Sequence, residues 1–285
     1  MLKIRAVLFY GACLTLLASA GAYAQTSFEK IEVQKNGSYH IPVRGEGKAR
    51  FYHFDLYSGK GDQRALRPLV INMHGGGFKI GGKGSASTPY FSRAYAHNGF
   101  LTASINYRKG KGRPLRNPED LKKACFNAVE DLDKAIRYFK DHAAELRIDT
   151  NRIFLAGNSA GAMVALQYVY ADSSGTRSSY IRGIANCWGA VYDSSWLSHA
   201  RVPIVSVFGE RDRVVPPGAG ATGIYGSYVI HRQAEKLGIP NRYQAFSGRG
   251  HELHRHFNPL FAGPGARKKW KEAAAFICRF LNEQL

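Results

Sequence analysis

Gly157-Asn158-Ser159-Ala160-Gly161 sets a serine between two glycines at the G-x-S-x-G spacing, which suits a nucleophile raised on a tight turn between a strand and a helix. A serine hydroxyl is a poor nucleophile until a base takes its proton, and the base serves only if a third group holds it in one tautomer. Two downstream segments offer those partners. Asp212 stands in Phe208-Gly209-Glu210-Arg211-Asp212-Arg213-Val214-Val215-Pro216, a short polar loop behind an apolar run. Glu210 is its rival in the same loop, and a solvated surface acid is the ordinary alternative for both. His251 follows two glycines in Gly248-Arg249-Gly250-His251-Glu252. His254 and His256 come soon after it, but the glycines favour His251 as the tip that reaches a sheet edge, with the other two opening the next segment.

Acyl transfer passes through a tetrahedral oxyanion, which needs two or three N–H donors aimed at one point. The run His74-Gly75-Gly76-Gly77-Phe78 can turn its amides that way. The expected donors are Gly75 and Gly76, joined by Ala160 directly after the nucleophile. A phosphate cradle is the competing use of such a run, but this one lacks a Gly-Lys-Ser/Thr ending and the G-x-G-x-x-G spacing. The late histidines could suggest a metal site, yet there is no HExxH spacing. No cofactor and no metal are expected.

These residues need a frame that brings distant segments to one edge. From Phe28 to about Tyr57 the sequence alternates as antiparallel strands do. After the polar turn at Ser58 to Gln63, short apolar runs alternate with helical stretches, the signature of a parallel sheet buried on both faces. Strands are expected at Leu69 to Met73, Leu101 to Asn106, Ile153 to Ala156, Ile181 to Trp188, Pro203 to Phe208 and Tyr243 to Phe246. Helices are expected at Ser87 to His97, Pro118 to His142, Ala160 to Ala171, Ser227 to Leu237 and Ala266 to Leu281. In the second of these Ala128, Leu132, Ala135, Ile136 and Phe139 share one face.

The first 24 residues carry Lys3 and Arg5, an apolar run from Ala6 to Leu17 and an Ala22-Tyr23-Ala24 ending. They read as a cleavable secretory signal that places the protein in the periplasm or outside the cell. Cys13 follows too poor a lipobox for a lipid anchor. Residues 25–285 are long enough for one α/β domain. The formal charge is +19, and +17 without Lys3 and Arg5. Such a field draws anions, which leaves room for an anionic polymer as a partner, although the basic residues are scattered and form no nucleic-acid motif. Cys125, Cys187 and Cys278 suit buried thiols, with one bridge between two of them still open in an oxidising compartment.

Together, His74 to Phe78, Asn106-Tyr107-Arg108, Gly157 to Gly161, Asp212 and His251 resemble a carboxylesterase of the α/β-hydrolase superfamily, close to the bacterial group that shares the hormone-sensitive-lipase HGGG motif. The resemblance runs from about residue 50 to the C-terminus. It implies an eight-stranded, mostly parallel sheet, the chain order Ser, Asp, His for the triad, hydrolysis through an acyl-serine, and no cofactor. The chain departs from many such relatives in having only Gly189 to Val202 where a lid is often inserted. An open cleft is therefore expected, rimmed by Lys79 to Ser87, Lys109 to Pro118 and Pro217 to Tyr225. The expected activity is hydrolysis of short-chain or aromatic carboxylic esters, on carbohydrate in particular, because an open cleft and export suit a large polar alcohol part. A serine peptidase on the same fold is one alternative, since the same triad cleaves amides, but no propeller domain and no recognition site for a chain terminus is visible in the sequence; a non-catalytic binding module is the other, and it would need none of the serine, acid, histidine and glycine run.

Overall fold

The computed structural model describes residues 26–85, 87–112, 114, 116–220, 223–256 and 263–285. The expected leader, with Cys13 in it, lies outside the described residues.

Eight strands form one sheet in the order β1-β2-β4-β3-β5-β6-β7-β8. They are β1 (Ile31–Ser38), β2 (His53–Gly59), β3 (Arg67–Met73), β4 (Leu101–Ile105), β5 (Ile148–Asn158), β6 (Ile181–Cys187), β7 (Ile204–Gly209) and β8 (Asn241–Phe246). β2 runs antiparallel to both β1 and β4, and every later pairing is parallel. The helices are α1 (Ser87–His97), α2 (Pro118–Asp141), the short α3 (Ala143–Leu146), α4 (Ala160–Tyr170), α5 (Ser227–Lys236) and α6 (Pro264–Asn282).

Side chains alternate across a strand, so each central strand feeds two cores. Leu69, Ile71, Met73 and Leu155 pack with α2 and α4, while Val70, Phe154 and Ala156 pack with α1 and α6. Both faces being covered, β3 has all seven residues buried, as a central parallel strand should. The long helix α2 is started by Asn117, whose Oδ1 accepts from the Glu119 and Asp120 amides at 2.9 and 3.1 Å. Pro118 fills the first helical position, and the two acids face the positive helix end. No helix among the described residues is long and apolar enough to cross a membrane.

The eight-stranded, mostly parallel sheet expected from the sequence is present, and the departures are local. β5 starts at Ile148, five residues before the apolar run begins. That polar extension pairs at Arg67↔Ile148 across a register shift, and its residues 149–152 are partly or fully exposed. Hydrophobic periodicity cannot mark a segment held by backbone pairing alone. The stretch between β1 and β2 is a loop closed by a 3-10 turn at Ala49–Tyr52. The segment joining β6 to β7 carries one 3-10 turn, Ser194–His199, and no inserted domain. Cys125, Cys187 and Cys278 are free and buried, so no bridge joins them.

Candidate functional site

The parallel strands β3, β5 and β7 end on one edge of the sheet, and each hands a different piece of chemistry to it. β5 stops at Asn158, α4 begins at Ala160, and Ser159 between them sits at φ 53°, ψ −116°. That is a costly conformation for a non-glycine residue, of order 1–3 kcal/mol, so its surroundings must hold it. The Ser159 amide donates to the Cys187 carbonyl at 2.9 Å, and its carbonyl accepts from Met163 at 3.0 Å. The flanking glycines are sterically required. A Cβ on Gly157 would lie 2.3 Å from the Gly161 carbonyl carbon, and one on Gly161 would lie 2.3 Å from the Met73 oxygen.

At the end of β7, Asp212 is buried and Glu210 exposed, which separates the two rivals of that loop. Asp212 Oδ1 accepts from the Val214 and Val215 amides, both at 2.9 Å. Its Oδ2 lies 2.8 Å from His251 Nδ1. The other ring nitrogen, Nε2, lies 3.0 Å from Ser159 Oγ. Residues 92 and 39 positions apart in the chain thus form one continuous line of hydrogen bonds. With Oδ2 accepting from Nδ1–H, Nε2 carries the lone pair and accepts the serine proton.

His251 reaches that place on a 3-10 turn, His251–Leu253, in which Glu252 and Leu253 both have positive φ. The turn is pinned by Trp270 Nε1, which donates to the Glu252 carbonyl at 2.8 Å, and by the Gly250 amide, which donates to the His254 carbonyl at 2.7 Å. The acid and histidine loops are tied through the Arg211 amide, which donates to the Arg249 carbonyl at 2.8 Å. His254, directly after this turn, is buried beside Trp270. Burial, with the charges of His251 and Arg249, lowers its pKa. Burial also pushes the Glu252 carboxyl up, against the pull of His251 and with the repulsion of Asp212. Trp270 and Glu252 were not legible as parts of the site, because neither belongs to a recurring motif.

The glycine run after β3 passes directly over the serine: a Cβ on Gly75 would lie 3.3 Å from Ser159 Cβ. Gly76 has φ +108°, and its carbonyl is turned away to accept from the Lys79 and Ile80 amides. Among the described residues, the amides of Gly75, Gly76 and Ala160 donate to no backbone carbonyl outside the regular elements. These are the three amides assigned to the oxyanion from the sequence. His74 anchors the run. Its Nδ1 donates to the Gly75 carbonyl at 2.7 Å, and its ring stacks on Tyr107 with centroids 4.2 Å apart. Tyr107 Oη donates to the His74 carbonyl at 2.6 Å. Burial pulls the His74 imidazole down to about 4, so it is neutral at pH 7.

Parts of the chain are similar to known proteins. The BD-FAE family model matches residues 54–174. Over 105 residues the chain is 38% identical to "Probable carboxylesterase 6" of Arabidopsis thaliana, covering 35% of this chain and 28% of that protein. It is 31% identical to fumonisin B1 esterase of Sphingopyxis macrogoltabida over 117 residues, 39% of this chain and 21% of the other. The matches thus span about a fifth to a quarter of those proteins' length. Among solved structures, Thermogutta terrifontis esterase 2 phosphorylated by paraoxon superposes with a TM-score of 0.62 at 21% identity, covering 89% of this chain and 94% of that one. A truncated carbohydrate esterase from gut microbiota gives 0.59 at 17%, covering 89% and 96%. At those identities the likeness is one of fold.

Proposed function

We propose that this chain, an α/β-hydrolase by its fold, is an exported serine esterase that hydrolyses short-chain or aromatic carboxylic esters, on carbohydrate in particular, through an acyl-serine. The observation that carries the reading is the line from Ser159 through His251 to Asp212, at 3.0 and 2.8 Å, beneath the glycine run. Ser159 Oγ attacks the ester carbonyl as His251 Nε2 takes its proton, and Asp212 stabilises the imidazolium that forms. The carbonyl oxygen, now negative, is met by the amides of Gly75, Gly76 and Ala160. The proton on Nε2 passes to the departing alcohol, leaving the acyl group on Ser159. Water, deprotonated by the same nitrogen, then releases the acid.

Several facts support the finer parts of this reading. The relatives are named as esterases, and one structural neighbour is named as a carbohydrate esterase. The segment after β6 sets Trp196 edge-on to Phe126, an aromatic surface of the kind on which sugar or aryl rings stack. The charged start and A-Y-A ending support export, for which mass spectrometry of the mature protein should give an N-terminus at or near Gln25.

The test is labelling by an aryl organophosphonate together with a screen of aryl esters, acetylated and feruloylated sugars, and peptide amides. Ser159→Ala should abolish both the label and turnover, by about 10⁴-fold or more. Ester turnover that survives this change would remove the serine mechanism, and turnover of peptide amides alone would replace the esterase reading with a peptidase.

A further inference from the structure

We propose that the preferred ester carries a carboxylate a few bonds from the scissile carbonyl, held by Lys109 and Arg50 beside the glycine run. This rests on the esterase reading above and names its substrate class.

The catalytic edge of the sheet carries cations close to the glycine run. Three stretches meet at the catalytic edge on the β2–β4 side: residues 47–52, residues 74–85, and residues 106–112 with 114, 116 and 117. Their sequences contain no aspartate and no glutamate. Two of their cations are consumed structurally. Lys83 is paired with Asp55 at 2.6 Å, and Arg108 with Asp131 and Glu130 at 2.8 and 2.7 Å. Lys48, Arg50, Lys109, Lys111 and Arg116 are left without an ion pair among the described residues. The opposite edge differs: Arg64 is paired with Asp62 at 2.7 Å, and the guanidiniums of Arg67 and Arg147 donate to the carbonyls of Leu146, Arg64 and Asp62. Those three cations hold loops together, while Lys30 and Lys60 on the same edge have no ion pair among the described residues. On the catalytic edge Lys83, Arg108 and Lys79 are engaged, and Lys109 and Arg50 are not.

Hydrogen bonds fasten the backbone that carries Lys109 and Arg50 beside the glycine run. The Gly110 amide donates to the Phe78 carbonyl at 2.8 Å, and Lys79 Nζ donates to the Gly112 carbonyl at 2.9 Å. The loop bearing Lys109 is therefore fastened to the glycine run that crosses Ser159. Asn106 clamps the remaining segment: its Nδ2 donates to the Arg50 carbonyl at 2.6 Å, and its Oδ1 accepts from the Lys83 amide at 2.7 Å. Lys109 is half-buried. Burial and the neighbouring charge of Arg50 both disfavour its ammonium, and its charge is felt at the His74 ring. Two cations that repel each other beside the glycine run, the Asp120 carboxylate being turned to Gly112, are relieved by an anion placed between them. The unpaired Lys48, Lys111 and Arg116 extend the same positive field outward, which suits a substrate repeating the carboxylate, such as an acidic polysaccharide.

The experiment uses the mature protein and two matched pairs of esters. One pair is 4-nitrophenyl butyrate against the 4-nitrophenyl half-ester of glutaric acid, with the carboxylate on the acyl side. The other is phenyl acetate against 4-carboxyphenyl acetate, with the carboxylate on the alcohol side. The wild type should favour the anionic member of at least one pair, and raising salt from 0.01 to 0.15 M should erode that preference as the Debye length falls from about 30 to about 8 Å. Lys109→Gln and Arg50→Gln should each lower the anionic-to-neutral ratio of kcat/KM by about tenfold, largely through KM, as expected for loss of one partly desolvated charge partner. Lys109→Arg should restore it, and Lys60→Gln, on the opposite edge, should not change it. Hydrolysis that depends on Ser159 but shows no charge preference in either pair, or one indifferent to Lys109 and Arg50, overturns this inference and leaves the esterase standing. Failure to hydrolyse any of the four esters, or hydrolysis that persists in Ser159→Ala, removes both.

Discussion

The serine and the histidine arrive at the same point by unlike routes. Ser159 is held mainly through its own chain neighbours, with one bond from its amide to the Cys187 carbonyl: β5 and α4 are joined through it without a spare residue, all eleven residues of α4 are buried, and the two flanking glycines leave no room for a methyl group. His251 is held by strangers. Its turn has two positive-φ residues of its own and takes its place from Asp212, Trp270 and the contact between the loops after β7 and β8. A nucleophile must keep one strained backbone angle, which local packing enforces. A base must keep one ring orientation, which hydrogen bonds from elsewhere enforce while leaving the loop adjustable.

The sharpest break of that contrast is Asp212→Asn. The Val214 and Val215 amides require an oxygen at Oδ1, so the new amide NH₂ must face His251 Nδ1. The ring is then forced into the tautomer with its proton on Nε2, unable to accept from Ser159. Activity should fall by about 10⁴, or about 5.5 kcal/mol of barrier, with the melting temperature little changed. Retained activity would show that the ring is oriented by something other than this carboxylate.

Next come two glycines, one on each route. Gly161→Ala should cost stability, about 3 kcal/mol or more, because its methyl group would press on the backbone of β3. Gly209→Ala places a Cβ 2.4 Å from the carbonyl oxygens of Arg249 and Gly250. There the cost should fall more on kcat than on folding, since the histidine loop can move away. Denaturant titration beside steady-state kinetics separates the two, and equal partition in both variants would erase the distinction.

Acid should weaken both sides together. Burial holds His74, under the glycine run, and His231, between α5 and β8, at about 4, against about 6.5 when free. Their folded pKa values are depressed, so the unfolded chain takes up protons between pH 6.5 and 4 that the folded chain refuses. The stability present at neutral pH is therefore lost as pH falls through that window, by about 1.4 kcal/mol per pH unit for each histidine. Asp131, raised by burial to about 6, works in the opposite sense over the lower part of the window and offsets one of them. Urea unfolding at pH 7 and pH 5 should differ by about 1–3 kcal/mol in favour of pH 7, and His231→Gln should shrink the difference.

The smallest effect on turnover belongs to Trp270→Phe, which deletes the bond to the Glu252 carbonyl and trims the ring that packs on Tyr90, Phe91 and His254. About 1–3 kcal/mol of stability and a few-fold loss of kcat are expected, both on the histidine side. No change in either would mean that the turn holds itself.

The division between the two routes is also the division between what could be read in advance and what could not. The serine elbow was legible because the glycines that mark it lie within five consecutive residues between an apolar run and a helix, and the glycine run because its glycines are adjacent. The parallel sheet followed from short apolar runs, since a strand buried on both faces must be apolar throughout. Asp212 against Glu210, and His251 against His254, were not separable on composition alone: all four are polar residues in short loops. Only the tertiary structure buries Asp212 against two amides, turns Glu210 to solvent and brings His251 across 92 residues to the serine. The polar start of β5 and the clamp at Asn106 were hidden likewise, because both depend on backbone groups that every residue possesses. The sequence by itself determined which chemical groups exist and the local turns that strain or free them. Which of those groups meet was decided by the packing of the sheet, because contact between distant loops depends on strand order, and strand order is written in no single segment.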